Sequence, residues 1–184
     1  MWIWAEDDVF RSNARCQFPK RLTLSLGSLT KIPKMIKIER ATLANKENLN
    51  NLMQRQFDEH EIDYTAEILD YAIQEVLERN ELGLFLIAKE DDRVIGFAAI
   101  SYAWTLEHGG KSAWLDELYV LPEYRDRGVG SVLLGAVTEE VRREGCRAVD
   151  LEVEEEHCRA ERLYERKGFK RLRRSRWVKS LHKE

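Results

Sequence analysis

The segment 113–131 places an apolar run, a proline, a charged turn and two closely spaced glycines in immediate succession. The apolar run predicts a strand that ends at Val120, Pro122 stops it, and Gly128 and Gly130 introduce a long helix. Glycines at a strand-to-helix turn let the backbone approach a ligand closely, and the first N–H groups of a helix can bind an anion. The segment therefore predicts a phosphate-binding cradle between a strand and a helix.

Two common phosphate-binding motifs are excluded by the residues at this helix start. A P-loop would need Gly-Lys-Ser/Thr there, and the chain has no such run. A dinucleotide fingerprint would need a third glycine at position 133, which is Leu133. What remains is the pattern Arg125-x-x-Gly128-x-Gly130, preceded by Leu118-Tyr119-Val120.

The hydrophobic periodicity elsewhere predicts an ordered series of strands and helices around this segment. We expect a first strand from Met35, a helix after Asn45, a second helix through 68–77, and a hairpin formed by 84–88 and 94–104. After the strand 113–121 and the helix from Gly130 to Gly145, we expect a strand at 148–153, a short helix at about 158–167, and terminal strands at 169–172 and 176–181. Strand, right-handed helix and strand around the cradle predict a parallel βαβ unit in an α/β (α+β) fold.

Residues 1–34 lack the periodicity of the rest, since Pro19, Gly27 and Pro33 interrupt them. We predict a poorly ordered N-terminal extension over 1–34 and a folded domain over 35–184. The alternative is an extra strand or a partner-binding arm.

Composition restricts the class of protein. A length of 184 residues fits one domain with a sizeable core, and a net charge of −3 argues against a general nucleic-acid binder. No stretch approaches the roughly 18 apolar residues that span a bilayer. The three cysteines are odd in number and lack paired spacing, which favours a reducing cytoplasm. We expect a soluble cytoplasmic protein, with no membrane or nucleic-acid partner and no metal.

A second stretch, His157-x-x-Ala160-x-x-Leu163-Tyr164-x-x-x-Gly168-Phe169, accompanies the cradle pattern. In this order and separation, the two stretches resemble the motifs of the GNAT superfamily of N-acetyltransferases, which use acetyl-CoA. The resemblance covers 35–181. It implies the GNAT fold, a mixed and mostly antiparallel sheet with a central parallel βαβ unit and helices on both faces.

The resemblance also implies roles for individual residues. Backbone groups of the strand would hold the pantetheine arm and polarise the thioester carbonyl, and the turn with the helix start would hold the pyrophosphate. Tyr164 would protonate the departing thiolate. His157 stands where many relatives have an Asn that contacts the CoA arm. Histidine can also donate a hydrogen bond, so we expect CoA to be bound there with an altered contact. The implied cofactor residues are Leu118, Tyr119, Val120, Arg125, Asp126, Arg127, Gly128, Val129, Gly130, Ser131, His157, Ala160 and Tyr164.

Acetyl transfer to an alkyl amine of pKa about 10.4 needs a base to remove a proton. The candidates, in order of preference, are Glu117, Glu152 and Asp116. Strand alternation predicts that Asp116 and Glu117 point to opposite faces. A covalent mechanism through Cys158 is disfavoured, because the adjacent His157 would not point at it from the same helix start.

The acceptor is less clear from the sequence. Acidic residues in 61–81, and at Asp150, Glu152, Glu154, Glu155 and Glu156, could attract a polyamine, an aminoglycoside or a protein amine, or could form a solvated surface. Tyr102, Trp104, Glu107 and His108 are candidates to shape the acceptor pocket by analogy alone.

We therefore predict a GNAT acetyltransferase acting on a small amine, polyamine- or aminoglycoside-like. The alternatives are a protein Nα- or lysine acetyltransferase, a non-catalytic acyl-CoA-binding regulatory domain, and an RNA-binding module using the basic C-terminal segment. A homodimer is compatible with the sequence.

Overall fold

The computed structural model of the chain describes residues 35–153, 157–179 and 181, so the predicted N-terminal extension lies outside the described part. The elements, in chain order, are β1 (Ile36–Arg40), α1 (Lys46–Glu59), α2 (Ala66–Glu78), β2 (Gly83–Glu90), β3 (Arg93–Thr105), β4 (Gly110–Val120), α3 (Val129–Arg143), β5 (Val149–Leu151) and α4 (Cys158–Arg166). Short 3-10 turns lie at Leu43–Asn45 and Pro122–Tyr124. Among these helices, none is both long and apolar enough to cross a membrane.

The strands form one five-stranded mixed sheet in the order β1-β2-β3-β4-β5. The first four strands pair antiparallel, and β4 pairs parallel with β5. The helix α3 connects β4 to β5, so these three elements form the predicted parallel βαβ unit.

Both faces of the sheet are covered. Six successive residues of β2, Gly83–Ala88, are buried, and successive strand side chains point to opposite faces. Helices α1 and α2 pack on each other and on β2, β3 and β4, while α3 packs on β1 to β4. The buried side chains of α3 are Val129, Leu133, Leu134, Val137 and Val141. Helical spacing of these residues fixes α3 against the sheet and holds its N-terminus at the end of β4.

The two predicted terminal strands are wrong for the residues that can be described. Residues 169–179 and 181 form no strand. Most of its side chains are basic, and beyond Phe169 its large apolar residues Leu172, Trp177 and Val178 are exposed. Ion pairs hold it in place: Arg171 with Glu161, Arg174 with Glu107, and Arg176 with Glu152.

Candidate active site

The turn between β4 and α3 adopts the backbone conformation that a cradle requires. Gly128 has a φ of +82°, in the left-handed region, and immediately precedes α3. The Val132 N–H makes the hydrogen bond to the Gly128 carbonyl oxygen at 3.0 Å, so the N–H groups of Val129, Gly130 and Ser131 have no partner within the helix. A Cβ placed on Gly128 would meet nothing within 4 Å. The helix start therefore opens into space that could receive a phosphate.

The pairing of β4 with β5 ends before this turn. Their pairing covers only Ala113 to Leu115 on β4, and β5 ends at Leu151, while β4 continues to Val120. Beyond Leu115, no described strand pairs with the outer edge of β4. Backbone groups of Leu118, Tyr119 and Val120 thus lie along an open edge, where an extended ligand could bind as a strand does.

A groove of about 2100 Å³ joins this edge to the helix start. It is lined by every predicted cofactor residue except Arg127. The Arg127 guanidinium lies 5.0 Å from the centre of the Tyr124 ring. The two sequence motifs, separated by the whole of α3 and β5, thus meet on one surface.

Arg125 is half-buried and tied to α1. Its guanidinium donates two hydrogen bonds to the Glu59 carboxylate, at 2.6 and 2.8 Å, and its Nε donates to the Val120 carbonyl oxygen at 2.9 Å. The bidentate pair lowers the pKa of Glu59 and raises that of Arg125. The sequence did not point to Glu59, which ends α1. Together these contacts tie α1 to the turn that carries the cradle.

The start of α4 closes the other side of the groove. His157 immediately precedes α4, and its ring centre lies 4.9 Å from that of His60 in an edge-to-face contact. Arg159 forms an ion pair with Asp126, which has a positive φ of 63° in the charged turn. These contacts join the second motif to the first.

Glu117 is the partly buried carboxylate at the centre of the site. Gln56 on α1 donates a hydrogen bond from Nε2 to Glu117 Oε2. Burial raises the pKa of Glu117 to about 7, the nearby Asp116 charge adds to the increase, and the Gln56 hydrogen bond opposes it. Glu117 lines both the cofactor groove and a second, smaller cavity, so it lies where the two meet.

Asp116 does not point away from Glu117 as alternation predicted. Residue Ala99 of β3 pairs with Glu117 and Ile100 pairs with Leu115, so Asp116 is the extra residue of a β-bulge. The bulge interrupts the alternation, and both acidic residues line both cavities. Asp116 is the more exposed of the two. Desolvation raises its pKa, and a hydrogen bond from Ser101 opposes the increase.

Tyr164 faces the same centre from α4. Burial raises the pKa of its phenol to about 12, and the Glu117 charge contributes to the increase. The Tyr164 ring packs edge-to-face on Phe169 at 5.8 Å between ring centres. The phenol is therefore protonated at neutral pH and lies within the electrostatic influence of Glu117.

Several other predicted acidic residues are already paired. Glu152 accepts a hydrogen bond from Arg176 at 2.8 Å, and Asp150 Oδ2 lies 2.8 Å from His108 Nε2. On α2, Asp70 binds Lys46 and Glu75 binds Arg79. Glu154, Glu155 and Glu156 lie outside the described residues. The paired carboxylates offer little free charge to a cationic acceptor.

The β3–β4 hairpin residues also lie away from the smaller cavity. Trp104 is 77% exposed, Tyr102 packs under Lys111 with the ammonium 3.7 Å from the ring centre, and Glu107 binds Arg174. The smaller cavity, of about 470 Å³, instead lies between α1, α2 and the sheet. We call it the α-side cavity.

Known proteins resemble this chain over its central part. A family model described as "Acetyltransferase (GNAT) family" matches residues 46–169. A mycothiol acetyltransferase of Acidimicrobium ferrooxidans is 39% identical over 89 residues, which cover 46% of this chain and 27% of that protein. An aminoglycoside N(6')-acetyltransferase of Salmonella typhimurium is 31% identical over 104 residues, which cover 55% of this chain and 71% of that protein. The match thus spans little more than a quarter of the first relative.

A solved structure gives the same result for the fold. An aminoglycoside N-acetyltransferase, AAC(6')-Iy in complex with CoA, superposes with a TM-score of 0.71 at 20% identity, over 84% of this chain and 100% of that one. The predicted mixed α/β fold is therefore confirmed, and acetyl-CoA as co-substrate is confirmed at the level of the family. Because the family model matches well over half of the chain, and the groove and fold agree with it, the chain belongs to the GNAT family of acetyltransferases.

Proposed function

We propose that this protein transfers an acetyl group from acetyl-CoA directly to the primary amine of a small molecule, with Glu117 as general base and Tyr164 as general acid. The observation that carries the proposal is the position of Glu117, which lines both the cofactor groove and the α-side cavity. A base at that junction can reach an amine that enters from one side and attacks a thioester held on the other.

The pKa of Glu117 suits a general base. With a pKa of about 7, a large fraction of the carboxylate is ionised at neutral pH, and it is more basic than an ordinary glutamate. The amine nitrogen attacks the carbonyl carbon, its surplus proton passes to Glu117, and the carbon–sulfur bond breaks. Glu152 is a weaker candidate because Arg176 already binds its carboxylate. Asp116 is a second carboxylate beside the first and favours a cationic acceptor by charge.

Burial keeps the Tyr164 phenol protonated at neutral pH, with a pKa of about 12, so its proton faces the departing thiolate. Full proton transfer is uphill, because a thiol has a pKa of about 8.5, so Tyr164 acts mainly by donating a hydrogen bond to the sulfur as negative charge develops there. The groove supplies the rest of the binding surface from main-chain groups at the β4 edge and at the start of α3. The Arg125 guanidinium is already bound to Glu59, so contact with the pyrophosphate would require it to give up part of that pairing.

Two observations bear on the acceptor. The similarity to an aminoglycoside N(6')-acetyltransferase supports an aminoglycoside-like or polyamine acceptor as a second candidate. Against it, several of the acidic side chains that suggested a polycation are held in ion pairs. Two further candidate functions are a protein Nα- or lysine acetyltransferase and a regulatory acyl-CoA-binding domain. A cytoplasmic location and a homodimer stay predictions.

The decisive experiment compares wild type with Glu117→Gln in acetyl-CoA titration calorimetry and in a thiol-release assay against a panel of amines. We expect unchanged acetyl-CoA affinity and a loss of about 100-fold or more in kcat/KM. The ascending limb of the pH–rate profile near pH 7 should also disappear. Asp92→Asn, in the exposed β2–β3 turn, is the matched control.

Two results would contradict the proposal. Acetyl-CoA binding without turnover of any amine by wild type would favour the regulatory domain. Full activity of Glu117→Gln would exclude Glu117 as the base.

A further inference from the structure

The α-side cavity is lined mainly by hydrocarbon. Helix α1 supplies two apolar side chains, α2 supplies five, and the strands supply three more. The residues are Met53, Phe57, Ile68, Leu69, Ala72, Ile73, Val76, Phe85, Ala99 and Ile100. A volume of about 470 Å³ is within the range of cavities that bind small molecules.

The charged groups of the cavity are all acidic. Asp116 and Glu117 line it from the bulged part of β4, and Asp63 lines it from the α1–α2 connection. Tyr64, Thr65 and Ser101 supply the remaining polar atoms, and no lysine or arginine is among the described residues that line it. An ammonium group can therefore pair with these carboxylates, while the hydrocarbon wall offers it no charged or hydrogen-bonding partner.

The entrance to the cavity is also apolar. Ile68, on the first turn of α2, is 67% exposed and still lines the cavity. Tyr64 lies beside it, with its ring 5.5 Å from that of Phe57 in an edge-to-face contact. Ala72, one helical turn beyond Ile68, is exposed as well as cavity-lining. The hydrocarbon surface thus continues from the carboxylates outward to solvent.

We infer that the acceptor is a primary amine carried by an apolar alkyl or aryl body, with the amine at Glu117 and Asp116 and the body in the α-side cavity. This inference rests on the proposed function. An apolar body gains free energy by leaving water against such a wall. A polycation would have to place its further ammonium groups against hydrocarbon, at a large cost, except where one reached Asp63, the one other carboxylate among the described residues that line the cavity. The structure therefore disfavours the polyamine or aminoglycoside that the acidic sequence suggested.

The first test uses a matched pair of substrates, hexylamine and 1,6-diaminohexane, which differ only in a terminal ammonium. We expect wild type to prefer hexylamine by at least about 100-fold in kcat/KM. In the series from propylamine to hexylamine, kcat/KM should rise about fourfold for each methylene. Kanamycin and spermidine should be poorer acceptors than hexylamine.

The second test places a charge in the entrance without disturbing the buried core. Ala72→Glu should lower kcat/KM for hexylamine by about 10-fold or more, and should reduce the preference over 1,6-diaminohexane, because the new carboxylate can pair with the second ammonium. Ala66→Glu, an exposed position on the same helix that does not line the cavity, is the matched control and should leave both values unchanged.

Different failures have different meanings. Turnover of 1,6-diaminohexane or kanamycin at least as fast as hexylamine would overturn the inference while leaving an acetyltransferase. Faster acetylation of peptides with an apolar N-terminal residue than of free amines would likewise overturn it in favour of a protein acceptor. Acetyl-CoA binding with no turnover of any of these amines or peptides would overturn the proposed function itself, and the inference with it.

Discussion

Gln56 of α1 donates a hydrogen bond through Nε2 to the Glu117 carboxylate of β4. Gln56 is only 7% exposed, and its Oε1 has no hydrogen-bond partner among the described residues. A buried amide that satisfies only one of its ends is costly as a structural element. The contact instead fixes the orientation of Glu117 and moderates the increase in its pKa.

Replacing Gln56 with Leu should impair the reaction without destabilising the fold. Loss of the hydrogen bond should raise the pKa of Glu117 further, shift the ascending limb of the pH–rate profile upward, and reduce kcat/KM at pH 7 by about 5- to 20-fold. At pH 5, where Glu117 is protonated, thermal stability should be unchanged or higher, because an unsatisfied amide is removed. Gln54→Leu on the same helix is the control, and an unshifted pH profile in Gln56→Leu would exclude a positioning role.

The raised pKa of Glu117 has a consequence for stability. The folded-state pKa of about 7 exceeds the unfolded value of 4.5, so the folded protein holds an extra proton between these values. Stability contributed by the protonated form is present below about pH 4.5 and is lost as the pH rises through 7. Glu117→Gln should therefore be more stable than wild type at pH 8, by about 1–3 kcal/mol, with little difference at pH 4.5. Urea unfolding of both proteins at the two pH values measures this, and equal differences at both would contradict it.

Two glycines that flank α3 permit a controlled test of the cradle. Gly128 precedes the helix with φ +82° and Gly145 follows it with φ +78°, and a Cβ on either would meet nothing within 4 Å. Alanine at each position should cost about 1 kcal/mol for the same backbone reason. Only Gly128→Ala should also weaken acetyl-CoA binding, by about 10-fold in calorimetry, because Gly128 lines the groove and Gly145 does not. Equal binding by the two variants would contradict the cradle.

Tyr164→Phe should separate proton transfer from binding. The phenylalanine retains the ring contact with Phe169 but has no phenolic proton to donate. We expect a decrease in kcat of about 100-fold with an unchanged Kd for acetyl-CoA. Tyr71→Phe, on the exposed surface of α2, serves as the control. With an acetyl thioester of thiophenol, Tyr164→Phe should lose less activity, because the more acidic thiol leaves as a thiolate that needs less protonation.

The element order through α4 and the backbone conformation of the β4–α3 turn were predictable because local patterns determine them. Apolar spacing predicted α3, and the glycine at the strand-to-helix turn predicted a conformation that Gly128 adopts, with φ +82°. Gln56 also left a signal, as a polar residue seven positions after Leu49 on a stripe whose other members are apolar. That signal indicates a specific contact without naming the partner.

The bulge and the ion pairs depend on tertiary structure and left no such signal. Alternation placed Asp116 opposite Glu117, and only the register between β3 and β4 reveals the extra residue that brings both to the same cavities. The terminal strands were wrong for the described residues, where Arg174 and Arg176 form side-chain ion pairs with Glu107 and Glu152. Both features depend on which distant residue lies opposite, and the neighbouring residues in the sequence do not specify that contact.

The end of the β4–β5 pairing at Leu115 leaves main-chain groups of β4 open on one side of the proposed site, while side chains build the other side. The donor half consists largely of main-chain groups at a strand edge and a helix start, which any sequence able to keep the bulge and the glycine turn can supply. The proposed acceptor half, the α-side cavity, is walled mainly by side chains of α1 and α2, which face residues of the sheet. If the proposed division holds, substitutions on α1 and α2 would change which amine is accepted, while the main-chain groups at the sheet would stay the same.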